Sequence, residues 1–191
     1  RGIVIPLIGV AVMLAGPLVL LPYRKFNDVL DGATFGATAA VTFVAAQAFA
    51  QAIDLFAGGI RPAGDPLPWV ARLLALGIAN PVIAAGAIGS AVGAIWLRYR
   101  APVGDRHRLG LVGRPFVAVV AAALLLVAAA AGQVVLPFEV GLAWLAILAA
   151  VAMLWLRAVI HLGLLQEAAE IAIGDPIRCP HCTRPTPAHS F

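Results

Sequence analysis

Five long runs of apolar residues dominate the chain, and short polar segments separate them. The runs cover roughly residues 3–21, 33–57, 69–97, 116–136 and 140–165. At 1.5 Å per residue, each is long enough as a helix to cross about 30 Å of hydrocarbon. Because lipid cannot satisfy backbone N–H and C=O groups, each run is expected to be helical. The pattern predicts an all-α, polytopic membrane helix bundle with five transmembrane helices.

The third run contains a helix-breaking signal, Asn80-Pro81. Proline has no backbone N–H to donate, and it disfavours the helical conformation in the residue before it. We therefore predict that the third helix is kinked at Asn80-Pro81.

Composition supports the membrane class. Of 191 residues, 62% are hydrophobic and 12% are charged, whereas soluble domains are about 45–50% apolar and about 25% charged. The lipid bilayer is thus the first predicted partner. The net charge of +4 comes from loop residues, and no basic stripe interleaved with aromatic residues appears, so we expect no nucleic-acid binding. Since the chain begins with arginine, we interpret it as a piece of a longer protein.

The distribution of lysine and arginine predicts an orientation. Segments 22–32 and 98–115 and the C-terminal part are rich in these residues, whereas segment 58–68 contains only Arg61. Cytoplasmic loops carry the excess of positive charge. We therefore expect loops 22–32 and 98–115 and the C-terminus to be cytoplasmic, in a plasma membrane. Arg72 fits this arrangement poorly.

Small residues recur at four-residue spacing in two of the runs. Gly32, Gly36 and Ala40 form one series, and Gly89 and Gly93 form another. Such spacing lets helix backbones approach closely in lipid. For any single pair, the ordinary abundance of glycine and alanine in membrane helices explains the pattern equally well.

The second run carries a polar stripe. At 100° per residue, Gln47, Gln51 and Asp54 fall within about 60° of one another, on the same side as Gly36 and Phe43. A stripe of this kind normally faces protein or a water-filled cavity. It fits either a former or actual catalytic site, or hydrogen bonding between helices with Asp54 reaching the membrane surface.

Residues 26–49, FNDVLDGATFGATAAVTFVAAQAF, resemble the second motif of the PrsW-type intramembrane proteases. That motif has an Asp-Gly pair, then glycine, phenylalanine and a glutamate. Asp31-Gly32, Gly36 and Phe43 match it, and Gln47 occupies the glutamate position. The third run resembles the next motif, but the expected histidine falls near Ala84. The family's first motif, a Glu-Glu pair followed by lysine, does not occur in this sequence.

The resemblance implies an activity that these substitutions remove. Proteolysis of this type uses a carboxylate to activate water, and an amide such as Gln47 cannot act as a general base. We expect a pseudoprotease that binds or scaffolds other membrane proteins, with Gln47, Asp31 and Asp54 as candidate residues of the degenerate site. Two alternatives stay open. One is an active protease with catalytic carboxylates before Arg1, and the other is an accessory subunit of a membrane transport complex.

The C-terminal part predicts a metal-binding tail. Cys179 and Cys182 form a Cys-x-x-Cys pair, and His189 is a weaker candidate ligand. A reducing cytosol disfavours a structural disulfide, and two thiolates at this spacing make half of a tetrahedral Zn²⁺ site. A redox dithiol and a metal-free tail remain alternatives. Residues 159–182 also resemble actinobacterial members of the family that carry a small zinc ribbon.

Three regions follow from these patterns. Residues 1–165 form the predicted transmembrane domain. Residues 156–175 form an amphipathic extension of the last helix that lies at the membrane surface. Residues 176–191 begin a cytoplasmic tail resembling a zinc ribbon.

Overall fold

The computed structural model describes residues 4–23, 25–56, 66–100, 110–111, 113–173, 177–178 and 185–186. These form helices and one short pair of strands. The elements are α1 (Val4–Leu20), α2 (Val29–Phe56), α3 (Pro66–Leu74), a π-helical turn (Ala75–Ala79), α4 (Asn80–Tyr99), α5 (Pro115–Val135), α6 (Phe138–Ile173), β1 (Ile177–Arg178) and β2 (Pro185–Thr186).

Four of the five predicted spans have the length and composition of transmembrane helices. They are Val29–Ile53, Pro66–Tyr99, Pro115–Val135 and Phe138–Gln166. The helix α1 is apolar but has only 17 residues, which is about 25 Å and shorter than a typical hydrocarbon core. The prediction of an all-helical membrane bundle is thus confirmed for four spans, and the chain is an integral membrane protein.

The predicted interruption of the third span takes the form of a π-helical turn. The helices α3 and α4 are joined by Ala75–Ala79, and the backbone N–H of Asn80 donates to the carbonyl of Ala75, five residues earlier. In a regular helix the ring of Pro81 would clash with the carbonyl of Gly77 and leave it without a donor. The wider turn before Pro81 accommodates this mismatch, and it moves the irregularity one turn ahead of the expected position.

The helix α4 is the centre of the bundle. Fourteen of its 20 residues are buried, in a nearly continuous run from Ile83 to Leu97. The helices α2, α5 and α6 pack around it, and α1 packs against α2 and α5. The outer helices expose large apolar side chains such as Phe49, Phe116 and Leu154, as expected where lipid replaces water as the surrounding solvent.

Small residues bring α2 and α4 together, as their spacing predicts. A Cβ added at Gly36 would lie 2.8 Å from the carbonyl oxygen of Ile88 and 2.9 Å from the Cβ of Val92. On the facing helix, a Cβ added at Gly89 would lie 3.2 Å from the carbonyl oxygen of Ala33. Neither backbone can move away without separating the helices, so these glycines set the interhelical distance.

Trp96 anchors the other end of this interface. Its indole is fully buried, lies 2.6 Å from a Cβ built on Gly32, and donates from Nε1 to the carbonyl oxygen of Phe26 at 3.1 Å. The ring of Phe35 packs edge-on against both Phe26 and Trp96. These contacts connect the segment before α2 to the end of α4.

The start of α2 is capped by Asp28. Its Oδ1 accepts a hydrogen bond of 3.0 Å from the backbone N–H of Leu30, which satisfies one of the donors that a helix leaves unpaired at its N-terminus. Asp31 lies in the same first turn, where a negative charge interacts favourably with the helix dipole.

The helix interface yields a stability prediction. We expect Gly36→Ala to destabilise the protein by about 1–3 kcal/mol, because the new methyl group meets backbone and a β-branched side chain that cannot rotate away. Thermal unfolding of the purified protein in nanodiscs, followed by tryptophan fluorescence, measures the change. Gly16→Ala in α1 is the matched control, because a Cβ there meets no atom within 4 Å. Equal melting temperatures for the two variants would contradict the proposed role of Gly36.

Candidate functional site

A cavity of about 450 Å³ lies at the end of the bundle where α2 finishes and α4 begins. Its walls come from the N-terminal half of α1, the C-terminal half of α2, the π-helical turn with the start of α4, and the C-terminal half of α5. Most of the lining is apolar, including Met13, Phe43 and Leu76. Four amide side chains are the polar part of the wall: Gln47, Gln51, Asn80 and Gln133.

The polar stripe of α2 faces this cavity, as the helical periodicity predicts. Gln47 is half-buried and Gln51 is exposed, and both line the cavity wall. Phe49 and Ile53 project to the opposite side of α2, where they are 75% and 61% exposed. The side chain of Asp54 lies outside the described part of the structure, so its predicted membership of the stripe stays a prediction.

Asn80 and Gln133 are hydrogen-bonded to each other in the cavity wall. The amide nitrogen of Gln133 donates to Oδ1 of Asn80 at 3.1 Å, and the amide nitrogen of Asn80 donates to Oε1 of Gln133 at 3.4 Å. Gln133 also donates to the carbonyl oxygen of Ala129 at 3.2 Å. The pair connects the start of α4 to the end of α5.

Gln47 and Gln51 differ from that pair. Within the described residues, neither side chain makes a hydrogen bond, although both belong to a wall that is otherwise largely apolar. Each amide has two N–H donors and a carbonyl acceptor. Groups of this kind need a partner in a low-dielectric surrounding, and water or a bound molecule in the cavity can supply it.

Two positions that the resemblance points to, Asp31 and Ala84, lie away from Gln47. Asp31 lies in the first turn of α2, 16 residues before Gln47, or about 24 Å along the helix axis. Ala84, near the expected histidine position, is fully buried in the core with Ala40 and Ala87. The structure therefore separates the Asp-Gly end of the motif, which packs and caps helices, from the amide end, which faces the cavity.

The lining restricts the chemistry of the site. Among the described residues that form the cavity wall there is no Asp, Glu, His, Lys, Arg, Cys, Ser or Thr side chain. Amides bind through hydrogen bonds but do not exchange protons at ordinary pH, so this wall supplies neither a general base nor a nucleophile. The described amides can donate and accept hydrogen bonds.

Asn80 and Gln133 are site residues that sequence reasoning missed. The sequence pattern marks Asn80 only as part of the Asn-Pro interruption, and nothing in it distinguishes Gln133. The available signal was the same as for Gln47, a polar side chain near the end of an otherwise apolar span. Their pairing has no sequence signature, because 53 positions separate them.

The predicted metal ligands lie outside the described residues. Cys179, Cys182 and His189 are not among them, and the described part of the chain holds no group of three or more His, Cys, Asp or Glu side chains suited to a metal ion. The strands on either side are described: Ile177 pairs with Thr186 and Arg178 with Pro185, in antiparallel register.

Comparison of the chain with protein-family models, with curated proteins and with solved structures finds no match.

The Asn80–Gln133 pair yields a testable coupling. We expect a double-mutant cycle with Asn80→Ala and Gln133→Ala to give an interaction energy of about 0.6 kcal/mol and no more than about 1.7 kcal/mol, the range found for hydrogen bonds between membrane helices. Unfolding free energies in mixed micelles provide the measurement. The control cycle combines Asn80→Ala with Gln51→Ala, because Gln51 lines the same cavity and makes no hydrogen bond to Asn80. Additive effects in the first cycle would show that the two amides do not interact.

Proposed function

We propose that this chain is a catalytically inactive relative of the PrsW-type intramembrane proteases, and that its cavity binds a helical segment of another membrane protein. The observation that carries the proposal is the environment of Gln47. The position where the resemblance expects the glutamate holds an amide, and that amide lines the cavity together with three others.

The amide and hydrocarbon lining of the described cavity wall supports binding over hydrolysis. Peptide hydrolysis requires a base to activate water, and the described wall of the cavity offers amides and hydrocarbon. An amide at Gln47 preserves the size and the hydrogen-bonding atoms of a glutamate while removing its charge. Replacement of a catalytic glutamate by glutamine leaves a cavity that can still bind a polypeptide but has no general base at this position to hydrolyse it.

The size and surroundings of the cavity suit a helix within the membrane. One turn of α-helix with its side chains occupies about 400–600 Å³, taken as a cylinder of 10–12 Å diameter and 5.4 Å pitch. The cavity volume of about 450 Å³ is of this order. Its wall combines apolar surface with a few placed polar groups, which is the usual composition of a binding site.

We further propose that the cavity lies in the half of the plasma membrane away from the cytoplasm. The cavity is at the end of the bundle where α2 finishes and α4 begins, and the segment between α2 and α3 contains few positive charges. Segments 22–32 and 98–115, rich in Lys and Arg, lie at the other ends of these helices, and the positive-inside rule assigns those to the cytoplasm.

Steric blocking of the cavity tests the proposed function. We expect fluorescently labelled single-span peptides to bind the full chain in nanodiscs saturably and to remain uncleaved by mass spectrometry. Ala48→Trp should weaken binding by about tenfold or more, because the indole overfills a cavity that Ala48 lines. Ala50→Trp introduces the same change on the exposed side of α2 and should leave affinity unchanged.

Two results would overturn the proposal. If the unmodified chain cleaves the peptides and Gln47→Ala abolishes that cleavage, the chain is an active protease. Equal effects of Ala48→Trp and Ala50→Trp would show that peptides bind elsewhere on the bundle.

We also propose that Cys179 and Cys182 bind Zn²⁺ in the cytoplasmic tail. The antiparallel pairing of Arg178 with Pro185 supports this proposal, because it brings together the two ends of the segment that contains both cysteines. Two thiolates at Cys-x-x-Cys spacing can occupy one edge of a tetrahedral site. A complete structural site needs two further ligands, and His189 is the candidate for one of them. We expect elemental analysis to find zinc in the purified protein and to find it lost in Cys179→Ser, with Thr183→Ser as the control. Equal zinc content in both variants would refute the assignment.

A further inference from the structure

Gln47 and Gln51, whose side chains make no hydrogen bond within the described residues, give the cavity a chemical preference. Gln47 and Gln51 are four residues apart and line the same wall, so their side chains are neighbours about 5–6 Å apart at Cβ. Both lie in the apolar part of α2, with Phe56 at its end nine residues beyond Gln47. Their depth is therefore about 8–14 Å from that end of the helix.

An apolar helix is a poor match for this wall. A segment of leucine and alanine entering the cavity would remove water from Gln47 and Gln51 and offer no hydrogen bond in return. Burying a polar group without a partner costs about 1–3 kcal/mol by protein mutational data. Part of the favourable apolar contact would thus be lost to desolvation of the amides.

A charged segment is also a poor match. The described lining contains no ionisable side chain that could pair with a carboxylate or an ammonium group. A charge moved into such a surrounding without a counter-ion is strongly disfavoured. A suitable partner group is therefore neutral and has both a donor and an acceptor.

The protein itself contains an example of the expected contact. Asn80 and Gln133 exchange two hydrogen bonds, each amide donating to the oxygen of the other. This arrangement satisfies one donor and one acceptor on both sides, in the same cavity wall. A second such pair is available to Gln47 or Gln51 if the incoming helix brings an amide of its own.

We propose that the cavity selects membrane helices that carry an asparagine or glutamine within the span, and that this residue pairs amide to amide with Gln47 or Gln51. The inference rests on the proposed helix-binding function and specifies the partner that the same site takes. The selected helix carries its amide level with Gln47 and Gln51, which lie about 8–14 Å along the helix axis from the end of α2 at Phe56.

A host–guest series tests this selection with the full chain in nanodiscs. The probes are labelled leucine-alanine spanning peptides that differ at one position, Asn, Leu or Asp, placed at the depth of Gln47. We expect the Asn peptide to bind about 3- to 20-fold more tightly than the Leu peptide and the Asp peptide to bind more weakly than the Asn peptide. The double variant Gln47→Leu/Gln51→Leu should bind the Asn and Leu peptides equally.

Gln166→Leu is the matched control, because it makes the same chemical change in α6, away from the cavity, and should keep the preference for Asn. Binding of all three peptides with one affinity would overturn the selectivity while leaving helix binding intact. A preference for Asn that persists in the Gln47→Leu/Gln51→Leu variant would overturn the assignment to these residues. Failure of every peptide to bind would overturn the proposed function and this inference together.

Discussion

The close approach of α2 and α4 is the constraint on which the rest of the structure depends. Gly36 lies against the backbone of Ile88, and Gly32 lies against Trp96. A helix held at this distance has no freedom to rotate, because any rotation would bring a Cβ into the interface. Helical periodicity then fixes the direction of every later residue on the same face, and Gln47 and Gln51 are on that face.

The cavity begins where this close contact ends. The series of small residues on α2 stops at Ala40, which is fully buried, and the next residues on that face are Phe43, Gln47 and Gln51. Their longer side chains occupy the space between helices and prevent the same approach. The ring of Phe43 lies 3.2 Å from a Cβ built on Gly9 of α1, so α1 closes one side. A tight interface and a polar cavity are thus two parts of one helix face.

Much of this arrangement follows from the sequence. The apolar runs indicate the four long helices, and the 100° periodicity places the amides opposite Phe49 and Ile53. The π-helical turn and the Asn80–Gln133 pair depend on contacts between distant segments, so local patterns do not reveal them. Asp31 is a case in which the motif resemblance points to a residue away from the cavity. It lies in the first turn of α2, about 24 Å along the helix axis from Gln47.

The central claim is that Gln47 faces a cavity within the protein and not lipid. Electron paramagnetic resonance on nitroxides attached at single cysteines along residues 44–53, in a background with Cys179 and Cys182 replaced by serine, tests this in nanodiscs. We predict that collision with oxygen, which concentrates in the hydrocarbon, is lowest at positions 47 and 51 and highest at positions 49 and 53. A nitroxide at position 47 that meets oxygen as often as one at position 49 would contradict the claim.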